Sequence, residues 1–143
     1  FATSGSAVPC CLLILLSDLM LQISPLVLAI HQWTCVLLCT GLSGIAVGLG
    51  ARMPNLREES PSKIAAGFGG TLSLVISALY IVLIVLMTAL PSHFYIATRQ
   101  AALSPNWVAG WLVAGTVAAT LVGAAATIIP MRIGLAAFRD LEF

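Results

Sequence analysis

One carboxylate set in an apolar run is the residue best placed to do chemistry. Asp18 lies inside the stretch Ala2 to Ile23, which otherwise reads as a membrane span. A charged side chain at bilayer depth costs about 2.5–3.5 kcal/mol on insertion scales, so Asp18 should face protein or water rather than lipid. It could carry a proton or hold a substrate. It could also lie near the outer boundary, or bond a neighbouring helix through Ser17 or Gln22. With no second buried carboxylate and no intramembrane basic partner to be found, the structural reading is preferred. Cys10, Cys11, Cys35 and Cys39 all fall in apolar runs. Cys35 and Cys39 share a helix face, but a metal pair needs further ligands and only His31 joins them there. They read as buried, reduced thiols acting as small hydrophobes. His31, with Gln32 and Trp33, reads as a headgroup-layer residue, and His93 as an exposed loop residue.

Phosphate chemistry finds no support. Gly67, Gly69 and Gly70 follow Lys63, whereas a phosphate-binding loop of the form GxxxxGK[ST] places its lysine after the glycines. No metalloprotease or hydrolase signature occurs, and no cofactor or enzymatic activity is expected. No basic patch suggests nucleic acid.

The elements that must position these groups are membrane helices. Hydrophobic residues make up 60% of the 143 residues and charged residues 8%, with mean hydropathy +1.10. Soluble domains average about 25% charged residues, so this chain has too little charge to cover a water-facing surface. The expected fold is all-α, a polytopic bundle of about four transmembrane helices in a lipid bilayer. The spans are expected over residues 2–23, 26–50, 64–90 and 107–129, with a loop at 51–63 and a tail at 130–143. The pairs Ser24-Pro25, Ser60-Pro61 and Ser104-Pro105 mark three helix starts: serine can cap through its hydroxyl, and proline fits the first helical position. A loop is expected from Pro91 to Pro105, with Phe94, Tyr95 and Ile96 resting on the membrane surface. Pro130 should end the fourth span, leaving Met131 to Leu141 as a short amphipathic surface helix. Small residues predict close helix packing at Gly44 and Gly48, at Gly67 and Gly70, and along Gly115, Ala119 and Gly123.

Charge orients the bundle. Arg52, Arg57, Lys63, Arg132 and Arg139 fall on one side and Arg99 alone on the other. The positive-inside rule puts the 51–63 loop and the C-terminus in the cytoplasm, in a multi-pass plasma-membrane (inner-membrane) protein. The first residue, Phe1, has no basic segment or cleavage site after it that would mark a signal peptide, and suggests a fragment or processed product.

The loop and its flanks, GLGARMPNLREESPSKIAAGFGGTLSL, resemble a segment near the C-terminus of bacterial ABC-type exporter membrane proteins. Gly48, Gly50, Pro54, Asn55, Arg57, Glu58, Pro61–Ile64, Gly67–Gly70, Thr71 and Leu72 carry the match, which extends over most of the chain. Family members are longer, so the resemblance implies their C-terminal membrane portion, with Arg139–Phe143 as the natural end. Asp18 departs from it, standing where a milder polar residue is expected. The resemblance implies the permease portion of an ATP-driven exporter, with ATP hydrolysed by a separate subunit or domain. The implied partners are a cytoplasmic ATPase subunit and, in one arrangement, a second copy of the chain. Arg52, Asn55, Arg57, Glu58 and Lys63 are then the candidate coupling loop. The alternatives are an ion- or proton-coupled secondary transporter using Asp18, and a non-transporting membrane assembly subunit.

Overall fold

The computed structural model describes residues 2–52, 68–100 and 106–139. Among them the chain forms four α-helices and no strand: α1 (Ala2–Met20), α2 (Pro25–Arg52), α3 (Phe68–Gln100) and α4 (Asn106–Arg139). All four are long and apolar enough to cross a membrane, over Thr3–Met20, Pro25–Ala51, Gly69–Thr98 and Trp107–Ala136. The all-α, four-span bundle is as the composition implies. Its outer face is apolar, with Leu13, Leu74 and Leu121 each more than half exposed. Lipid accommodates such a surface because every helix satisfies its own backbone polar groups.

A tight turn joins α1 to α2. The Ile23 N–H donates to the Asp18 carbonyl and the Gln22 N–H to the Leu19 carbonyl, both at 3.2 Å. This is the paired pattern of a Schellman cap. Gln22 takes the left-handed φ of 51° that such a cap requires, where a side chain costs about 1 kcal/mol relative to glycine. Gln22→Gly should therefore raise the thermal midpoint of the detergent-solubilised protein by a few degrees; a lower midpoint would show that the glutamine side chain stabilises the turn. Pro25 opens α2 as its sequence position implies. The Ser24 cap differs from expectation: its carbonyl accepts the Leu28 N–H at 3.0 Å, while its buried hydroxyl has no partner among the described residues.

Among the described residues α2, α3 and α4 pack mutually, and α1 packs on α2 alone. Leu37, Ile45, Tyr80, Ile84 and Ala119 form the core. Tyr80 wedges from α3 between α2 and α4. Its hydroxyl donates to the Leu37 carbonyl at 2.7 Å, and its ring occupies the space that Gly41 leaves by lacking a side chain.

Among the described residues three prolines lie inside helices rather than at their ends: Pro9 in α1, Pro91 in α3 and Pro130 in α4. α3 continues through Pro91 to Gln100 and α4 through Pro130 to Arg139, correcting the expected loop from Pro91 and the expected stop at Pro130. Pro91 and Pro130 each remove one hydrogen bond to the carbonyl four residues earlier, and at both a neighbouring helix covers the defect. Gly115 of α4 seats against the Met87 carbonyl, the group Pro91 cannot bond, and against the Pro91 ring. Gly48 of α2 seats against Pro130, and a Cβ on Gly44 would come within 3.2 Å of the Ala126 carbonyl oxygen. Bundled membrane helices tolerate proline for this reason. Phe94 lies on the extended α3 rather than in a loop, and packs on Trp111 of α4 at 5.8 Å between ring centroids. Residues 131–139 continue α4 along α2 instead of forming a separate surface helix: Gly134 faces Gly48 and Ala51.

Candidate functional site

Because α1 touches only α2 among the described helices, a gap remains between α1 and α3, floored by α2. It is a cleft of about 540 Å³. Ile14 of α1, Leu38 and Leu42 of α2, and Val85 and Ala89 of α3 give it an apolar lining. Asp18, His31, Thr34 and Thr88 add the main polar groups. A mostly apolar recess with a few convergent polar groups, in the ~300–1,000 Å³ range, is the usual form of a small-molecule site.

Asp18 and His31 meet across the α1–α2 turn. Asp18 lies about 3 Å along the axis from the end of α1, and His31 about 9 Å into α2, at 1.5 Å per residue. The antiparallel hairpin sets them side by side. His31 Nδ1 is 3.0 Å from Asp18 Oδ2 and 3.2 Å from Oδ1. An ionised carboxylate only accepts, so Nδ1 carries the proton and donates into the carboxylate fork. Asp18 is 6% exposed, inward-facing as the cost of lipid exposure demands.

Asp18 bonds a neighbouring helix, as the structural reading expected, but through a different residue. A basic partner for Asp18 does exist, and it is His31 of α2, which the sequence reading placed with Gln32 and Trp33 in the headgroup layer. Ser17 and Gln22 are not the partners. Gln32 Nε2 instead donates to the Cys11 carbonyl at 3.2 Å, and Trp33 Nε1 donates to Thr120 Oγ1 at 3.0 Å. All three residues of the triplet therefore bond other helices.

The remaining candidates are dispersed. All four cysteines are free; Cys35 is buried beside Cys11 and Cys39. Among the described residues no group of three or more His, Cys, Asp or Glu could hold a metal ion. Gly44, Gly48, Gly115 and Gly123 each lie where a Cβ would press on a neighbouring helix, and Ala119 is fully buried in the core. Gly70 is half-buried in the first turn of α3. Of the coupling-loop candidates, Arg52 is the last residue of α2, while Asn55, Arg57, Glu58 and Lys63 lie outside the described residues, as does Gly67.

A family model described as "Putative ATP-binding cassette" matches residues 1–143. No curated protein and no solved structure matches the chain.

Proposed function

The chain belongs to this ATP-binding cassette family, matched over its whole length, and from that premise we propose that it serves ATP-driven transport at a membrane. The family match together with four helices able to span a bilayer carries this reading. The match also corrects two expectations. The family is described as the ATP-binding cassette rather than as a permease, which overturns the assignment of a permease portion with ATP hydrolysed elsewhere. The ion-coupled and assembly-subunit alternatives fit that description no better. A cassette family also stands against the expectation of no enzymatic activity, and ATP hydrolysis is part of the present proposal.

The described residues do not themselves fit a nucleotide. A phosphate cradle needs successive backbone N–H groups turned inward through left-handed positions, and no described glycine has positive φ. The sequence contains no GxxxxGK[ST]. Nucleotide chemistry is therefore assigned to no residue of these helices. Their contribution is to hold the protein in the bilayer and to form the Asp18 cleft. The basic residues favour a plasma-membrane orientation with the 51–63 loop and the C-terminus in the cytoplasm.

Purification from native membranes in mild detergent tests the proposal. Vanadate-sensitive ATP hydrolysis should accompany the chain at several times the level of a mock preparation. A folded, abundant preparation without ATP hydrolysis would overturn the reading.

A further inference from the structure

We propose that the cleft between α1 and α3 binds a lipophilic ammonium ion, its N–H on the Asp18 carboxylate and its apolar body along α2. The inference is independent of the family reading, since it rests on the hydrogen-bonding capacity left over in the cleft. Asp18 offers about four lone-pair positions, and among the described residues the one side-chain donor it receives is His31 Nδ1. A carboxylate only 6% exposed gains from a second, charged donor, because charge-assisted hydrogen bonds are the strong ones in a low dielectric.

Of the three hydroxyls lining the cleft, on Ser17, Thr34 and Thr88, the two threonines point to the same ligand chemistry. Thr34 donates to the Ile30 carbonyl at 2.7 Å and Thr88 to the Ile84 carbonyl at 2.9 Å. Both have committed their protons and retain lone pairs that can accept. Among the described residues no lysine or arginine lines the cleft. Asp18 is the one carboxylate among the described residues lining the cleft, and a cation bonded to it meets no opposing lysine or arginine there. An anion would meet an uncompensated carboxylate. An uncharged amphiphile could donate only a neutral hydrogen bond to Asp18, weaker than that of an ammonium N–H. The apolar lining from Ile14, Leu38, Leu42 and Val85 excludes a small hydrated cation and favours one with a hydrocarbon body.

Radiolabelled imipramine, a tertiary amine on an aromatic body, is a suitable probe, with the chain in nanodiscs of zwitterionic lipid. The expected result is saturable binding of one equivalent per chain. An isostere with carbon in place of the amine nitrogen should compete at least about tenfold more weakly, the order expected from losing one charged hydrogen bond. Asp18→Asn should weaken binding by a similar factor. Ala89→Trp fills the cleft from an exposed position on α3 and leaves the Asp18–His31 pair in place. It should abolish binding while the helix content and melting profile stay those of the parent. Non-saturable uptake, equal competition by the neutral isostere, or unchanged binding in folded Ala89→Trp would each overturn the proposal.

Discussion

Gly48→Ala should destabilise the bundle by about 2–3 kcal/mol, although it adds one methyl group, because that methyl meets backbone rather than a movable side chain. A Cβ at position 48 would collide with the Pro130 carbonyl carbon and oxygen. No rotamer change can relieve the contact; α2 and α4 must move apart. Gly50→Ala is the matching control, two residues further along the same helix, where a Cβ would have nothing within 4 Å. That substitution should be neutral or stabilising by up to about 1 kcal/mol, the helix-propensity advantage of alanine over glycine. Steric-trap unfolding in bicelles measures both. Opposite signs at 48 and 50 are the expected outcome. Equal, small effects would show that α2 and α4 have room to separate, and that Gly48 is not a contact point.

The expectation is sharpest at Gly48 because it packs on a site of broken helix. Pro130 leaves the Ala126 carbonyl without its usual partner, and Gly44, one turn before Gly48, lies beside that carbonyl. The same pairing of glycine with proline recurs at Gly115 and Pro91. In both places one helix carries the proline and its neighbour presents the small residue. The glycine spacing and the persistence of the helix through proline are thus one packing solution, repeated between different helix pairs.

This division explains what could be read from the chain and what could not. The number and type of helices follow from apolar runs, a local signal with few competing interpretations. The small-residue contacts at Gly44, Gly48, Gly115 and Gly123 were also legible, because a small face signals close approach whatever lies opposite. Helix ends at Pro91 and Pro130 were not. Proline signals a local break, and what overrides it is a glycine on another helix, many residues away. Gly134 went unnoticed for a related reason: a stop at Pro130 would have removed it from the bundle. At the cleft, the inward orientation of Asp18 was legible from the cost of placing a carboxylate in lipid. His31 as its partner was not, since the pairing depends on the register of the turn, which the left-handed Gln22 sets. The resemblance in the 48–72 segment pointed to the ABC superfamily but to the wrong part of it, and much of that segment lies outside the described residues.

His31→Ala should cost more stability than Asp18→Asn, and Asp18→Asn should rescue much of the loss when the two are combined. The argument is one of unmet hydrogen bonds. Removing the imidazole leaves a buried carboxylate with no side-chain donor, a loss of about 1–3 kcal/mol. Replacing the carboxylate by a neutral amide keeps an acceptor for His31 Nδ1 and removes the buried charge, so the single change should cost under about 1 kcal/mol. The coupling from the full cycle should fall near the upper end of the range for polar pairs in membranes, about 0.6–1.7 kcal/mol. Because α1 packs on α2 alone among the described helices, the loss should appear first as loosening of α1. Cys35, buried beside Cys11 of α1, reports it: in a chain with the other three cysteines replaced by alanine, maleimide labelling of Cys35 should speed up in His31→Ala and return toward the parent rate in the double variant. If both single changes cost the same and Cys35 stays protected in each, then packing and the Gln32–Cys11 bond hold α1, and the Asp18–His31 pair stands free to serve a ligand alone.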